Sequence, residues 1–175
     1  MPDALTHYAV SLLVSTRAMG LREALVFSLL GLAADVDVLL GVHRWVTHSL
    51  VVAGVALVAI YFSLKALKLE KYTGLLALAG GLYVLHILVD LLHAPTPVLY
   101  PLTQQSYWVE AGVDGYFGAG SVSLAPFVRV VAEPVDWAGR PVLEAPLVSQ
   151  EGLATALALA VVLLVEHFYE HGMKR

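Results

Sequence analysis

Apolar residues fall into five runs along the chain, separated by short polar or glycine- and proline-rich breaks. The runs cover roughly residues 4–18, 22–41, 46–64, 72–92 and 153–169. The last four approach the roughly 20 residues that a helix needs to cross a bilayer. The first is shorter, is interrupted by Thr6 and His7, and reads as a full or partial span. The pattern predicts an all-α membrane protein, a bundle of about five hydrophobic helices. Residues 1–93 are expected to form membrane helices carrying a polar site, and residues 151–175 a last membrane helix with a cytoplasmic tail.

Residues 94–150 break the pattern. They hold seven of the eight prolines together with Gly112, Gly115, Gly118 and Gly120, so a spanning helix is excluded there. We read this stretch as a long irregular extracytoplasmic loop or lid. Partial alternation and β-branching over Val122–Val131 allow a short strand or hairpin within it. Tyr107, Trp108, Tyr116, Phe117 and Trp137 suit a membrane interface.

Composition supports a membrane class: 59% of the 175 residues are hydrophobic and 14% are charged. A net charge of −4 without a basic cluster argues against a nucleic-acid partner. The absence of cysteine excludes disulfides, thiolate metal sites and cysteine nucleophiles. Arg17 is the first basic residue, so the start of the chain does not read as a secretory signal peptide.

Basic residues orient the bundle. With Lys174 and Arg175 cytoplasmic, alternation across five spans puts Lys65, Lys68, Lys71, Arg17 and Arg22 on the same side. Arg44, Arg129 and Arg140 are left outside. That topology places His7, Asp35, Asp37, His43, His48, His86, Asp90 and His93 toward the outer side, although none of them was used to choose it. Helical rise puts Asp35 about 20 Å beyond Arg22, His86 about 22 Å beyond Lys71 and His48 about 25 Å from Lys65, so these groups can meet at one depth.

Ionisable groups at that depth are costly and point to function. His86 and Asp90 are four residues apart and His93 three further on, one helix face offering nitrogen and oxygen to a divalent metal. Asp35 and Asp37 are two apart and cannot both face one way on a regular helix. One of them can ligate while the other orients a histidine, unless an unwound helix end lets both ligate. His48, at the start of the third run, is a ligand candidate, and His43 is a ligand or an acid–base group. Arg44 suits an anionic group such as phosphate. Its plain alternative is an interfacial anchor. Thr47 is expected to cap the third helix, and Gly80–Gly81 to permit close helix packing. No P-loop or dinucleotide fingerprint is present.

The ordered motifs are Thr6-His7, Asp35-Val36-Asp37, His43-Arg44 through Thr47-His48-Ser49, and His86 through Asp90. Over roughly residues 1–103 this set resembles the YdjM-like family of membrane-bound, metal-dependent hydrolases. Ala34 stands where the family usually has proline, and Trp45 where it often has glycine; neither change removes a proposed ligand. The resemblance implies a hydrolase in the plasma (inner) membrane.

The metal ligands expected from the residues are His7, Asp35, His48, His86 and Asp90, with Asp37 next. The expected metal is a divalent ion, zinc first, with manganese or iron as alternatives. Asp37, His43, Arg44 and His93 are the candidates for catalytic roles. A site open at outer-leaflet depth suits a membrane lipid or lipid-linked phosphoester. Two other readings use the same groups: a metal-ion or proton-coupled transporter, and a scaffold in which metal pins the helices.

Overall fold

A computed structural model describes residues 3–42, 44–118, 120–137 and 146–172. In chain order it contains α1 (Ala4–Ala18), α2 (Leu21–Phe27), a long 3-10 helix (Ser28–Leu40), a 3-10 turn (Val46–His48), α3 (Leu50–Ala66), a second 3-10 turn (Glu70–Tyr72) and α4 (Thr73–Leu91). Two antiparallel strands follow, β1 (Gln105–Gly118) and β2 (Ser121–Pro134), and then α5 (Gln150–Gly172).

This corrects the all-α expectation of about five hydrophobic helices. Residues 105–134, read as part of an irregular loop or lid with room for a short strand or hairpin, form a paired two-stranded sheet running from Gln105↔Pro134 to Gly118↔Ser121. The helical part also departs from five spans. Among the described residues one helix, Glu70–Leu91, is long and apolar enough to cross a membrane. Only 28% of its apolar window is buried, so most of that surface faces outward. Leu50–Ala66 is apolar but has 17 residues. The second run, expected as a single helix, divides into α2 and the 3-10 helix.

That division has a geometric reason. The buried residues of the 3-10 segment are Ser28, Gly31, Ala34 and Asp37, each three after the last. At three residues per turn they form one straight stripe. At about 100° per residue, α-helical winding would carry Asp37 half a turn away from Ser28. The tighter winding therefore keeps a small-residue stripe buried and delivers Asp37 to the same side. The close approach is at Gly31, where an added Cβ would lie 2.7 Å from Ser11 Cβ and nearer still to Ser11 Oγ. The segment ends at Gly41, whose φ of 73° is left-handed.

The helix starts are secured by side chains. The carboxylate of Asp3 accepts from Thr6 N at 2.7 Å and from the backbone N–H of Ser149, joining the first turns of α1 and α5. Gly152 of α5 sits against that carboxylate with no room for a Cβ. Farther along both helices Arg17 forks onto Glu166 at 2.6 and 2.9 Å, so α1 and α5 run parallel. The cap of α3 is Ser49, not Thr47: its Oγ accepts from Val51 N and Val52 N and donates to Tyr100 O. Of the glycine pair, Gly80 packs closely on Leu57, whereas Gly81 faces open space.

Candidate metal centre

Helix α4 ends at Leu91 and presents His86 and Asp90 one turn apart on its inner face, 2% and 1% exposed. The 3-10 turn before α3 brings in His48, fully buried. The 3-10 helix brings in Asp35, the one partly open member, with 26% of its side chain exposed. One ligand atom from each of these four residues lies within 4.8 Å of the others.

The distances have a chemical meaning. Nε2 of His48 is 3.3 Å from Nε2 of His86, 3.4 Å from Asp35 Oδ1 and 3.3 Å from Asp90 Oδ2. Nε2 of His86 is 3.3 Å from Asp35 Oδ1 and 3.7 Å from Asp90 Oδ2. Four donors placed tetrahedrally about 2.0–2.1 Å from an ion are separated by about 3.3–3.4 Å. Five of the six edges match this within a few tenths of an ångström, and the sixth, between Asp35 and Asp90, is within 4.8 Å.

Hydrogen bonds behind the centre aim the donors. Nδ1 of His86 is 2.7 Å from the carbonyl oxygen of Gly31. A carbonyl only accepts, so Nδ1 carries the proton and Nε2 turns its lone pair inward. On the far side of His48, Nδ1 is 3.1 Å from Asp37 Oδ2. That same oxygen accepts from Trp45 N at 2.7 Å and Thr47 Oγ1 at 2.8 Å. Asp35 and Asp37 thus stand on opposite edges of one imidazole, the first among the donors and the second orienting it. Two inward lone pairs facing each other beside two carboxylates repel unless a proton or a metal ion lies between them. Three carboxylates, Asp35, Asp37 and Asp90, with one guanidinium, Arg44, leave two negative charges, the amount a divalent ion neutralises.

The other predicted residues take different places. Nε2 of His7 lies 3.4 Å from Asp90 Oδ1, and its ring stacks on His86 at 3.8 Å between centroids. His7 lines the centre but is not one of the four donors, and its buried Nδ1 has no hydrogen-bond partner among the described residues. Arg44 reaches Asp90 through Nε at 3.1 Å and Nη2 at 3.4 Å. Its guanidinium thus engages Asp90, one of the four residues that could hold a metal ion. Its backbone is left-handed at φ 56°, a conformation costing a non-glycine residue about 1–3 kcal/mol. His93 follows the end of α4, is exposed, and has Nδ1 2.8 Å from Val89 O. It does not share the face of His86 and Asp90, because the helix has stopped. His43 lies outside the described residues.

Sequence reasoning missed the carbonyl of Gly31, the N–H of Trp45 and the double cap by Asp3. Only the last had a signal, an aspartate three residues before Thr6 at a helix start. It also missed Tyr83, whose hydroxyl donates to Thr47 O and steadies the turn that carries His48.

No curated protein and no solved structure matches the chain. A family model does, over residues 1–172, and the chain accordingly belongs to the YdjM inner membrane protein family.

Proposed function

We propose that this inner membrane protein is a metal-dependent hydrolase acting on a lipid or lipid-linked phosphoester. The observation that carries the reading is the unequal enclosure of the four donors. His48, His86 and Asp90 are closed off, whereas Asp35 is reachable from outside. A centre built only to pin helices has no need of an open side. A divalent ion held here, zinc by its donor set with manganese or iron as alternatives, would supply a Lewis acid that activates water and polarises a phosphoryl oxygen.

The chain's own groups have distinct tasks. Asp37 and the Gly31 carbonyl hold the two imidazoles in the tautomer that binds a cation. Arg44 steadies Asp90 and stands where an anionic oxygen of the substrate would compete for its guanidinium. A cleft of about 280 Å³ between the 3-10 helix, α3 and α4 reaches Thr47, whose hydroxyl bonds to Asp37 behind His48. Its walls are apolar (Leu30, Ala33, Val52, Ala56) except at Thr47 and Tyr83, which supports a hydrocarbon chain beside the reacting group. Lys65, Lys68 and Lys71 lie at the end of α3 and α4 away from the centre, which favours an extracytoplasmic site by the positive-inside tendency. From Thr73 to Val84, α4 carries no polar side chain except Thr73 and Tyr83. Transport would need a continuing polar path, which α4 by itself does not offer.

The test joins elemental analysis to an activity screen on detergent-purified protein. We expect stoichiometric metal, lost in His86→Ala and Asp90→Ala, and metal-dependent cleavage within a panel of phospholipids and polyprenyl phosphates. Protein that stays metal-free after reloading, or loaded protein inert across the panel, refutes the proposal.

A further inference from the structure

The β1–β2 ribbon is long, two-stranded and unlike the rest of the fold. Its register separates the side chains into two unlike faces. One face pairs Val109 with Val130, Ala111 with Val128, Val113 with Pro126, Gly115 with Leu124 and Phe117 with Val122. It carries no charge along its length. All four charged residues of the ribbon, Glu110, Asp114, Arg129 and Glu133, belong to the opposite face, which also carries Trp108, Tyr116, Phe127 and Val131; there Glu110 pairs with Arg129. The apolar face is also open: Phe117 is 79% exposed and Val128 75%, with Val113, Val122, Leu124 and Val130 more than half exposed. A two-stranded ribbon is marginal in water by itself, and an uncovered apolar face makes it more so.

We propose that this apolar face lies on the bilayer, seated at the headgroup–acyl boundary. Three observations favour lipid as the occupant. The chain belongs to an inner membrane family, so a bilayer is always beside it. The ribbon is rooted close to the end of Glu70–Leu91, the one span-length helix among the described residues. Thr96, five residues past α4, pairs with Tyr107 through two 2.9 Å backbone bonds, and Val98 O accepts from Leu50 N at the start of α3. The ribbon therefore leaves the helices near the level where the apolar span stops. Finally, 14 residues at about 3.3 Å each reach about 46 Å, and positions 113–118 and 121–124 at the far end are all exposed. The separation of charge from apolar surface is the one that lays amphipathic helices in an interface. This inference does not depend on the centre being an enzyme.

The chain has no cysteine, so a single introduced thiol can be labelled uniquely. Val113→Cys, Leu124→Cys and Val128→Cys report the apolar face, and Asp114→Cys and Ser123→Cys the polar face. Each full-length variant that elutes monodisperse carries an environment-sensitive fluorophore in vesicles of phosphatidylethanolamine and phosphatidylglycerol, with and without spin-labelled lipid. We expect blue-shifted emission and quenching by the spin-labelled lipid at 113, 124 and 128, and solvent-like, unquenched emission at 114 and 123. Solvent-like emission on both faces, or equal quenching of both, overturns the proposal. So does shielding of the apolar face without lipid quenching but with crosslinks between copies, which would make a second chain the occupant.

Discussion

Asp37 offers the sharpest test of how the centre is built. It is fully buried and, in the geometry above, does not ligate; one of its oxygens receives the Trp45 N–H, the Thr47 hydroxyl and His48 Nδ1. In Asp37→Asn the amide oxygen can occupy the same point and keep these bonds. What is lost is the charge that makes His48 a stronger donor and fixes its tautomer. Loss of such an orienting partner lowers metal affinity about 10–100-fold, or about 1.4–2.7 kcal/mol. In Asp37→Ala the donors lose their acceptor as well, and each buried group left unpaired costs a further 1–3 kcal/mol or about that. Competition against a chelator of known affinity, in detergent, should place Asp37→Asn within that window at unchanged melting temperature. Asp37→Ala should bind metal no better and melt lower. Wild-type affinity in Asp37→Asn would refute the orienting role, and complete loss of metal would instead place Asp37 among the ligands.

Gly31→Ala should push the 3-10 helix off Ser11, costing about 1–3 kcal/mol and moving the carbonyl that aims His86. Adding Ser11→Gly should restore metal binding, and failure of that rescue would sink the packing argument. Arg44→Ala leaves Asp90 buried without its guanidinium, a loss of about 3–5 kcal/mol in metal-free protein. Metal should recover much of that loss in thermal melts while activity stays absent; equal destabilisation with and without metal would count against the charge balance. On the ribbon, the Trp108 indole and then Arg129 bond to Glu110 and hold its pKa below the usual carboxylate value. A depressed pKa stabilises the fold above the ordinary value and loses that contribution as pH falls through the folded one. The Glu110 titration followed by NMR should therefore move up in Trp108→Phe and in Arg129→Ala, and an unmoved midpoint in both would contradict the assignment.

The chemistry of the centre was legible in the chain because burying charge in an apolar run is expensive, and because helical spacing is known in advance. His86 and Asp90 had to share a face once α4 was a helix, and Asp35 and Asp37 had to diverge on any helix. Their depths along apolar runs also allowed them to meet. What one strand of sequence could not supply was the winding of residues 28–40. Whether that run coils at 3.6 or 3.0 residues per turn goes with the burial of Ser28, Gly31 and Ala34 and the close approach of Gly31 to Ser11, an interaction between segments. Only that winding sends Asp37 behind His48 and aims the Gly31 carbonyl at His86. In the same way Arg44 turned to Asp90, and Ser49 rather than Thr47 capped α3, because the nearest buried partners come from distant parts of the chain. Alternation over Val122–Val131 hinted at a strand. The full length of the ribbon depended on a partner strand, since backbone pairing is a property of two segments. The sequence by itself determined which groups must be paired or shielded; the tertiary structure decided which partner does it, because packing and hydrogen bonding are settled between segments and not within them.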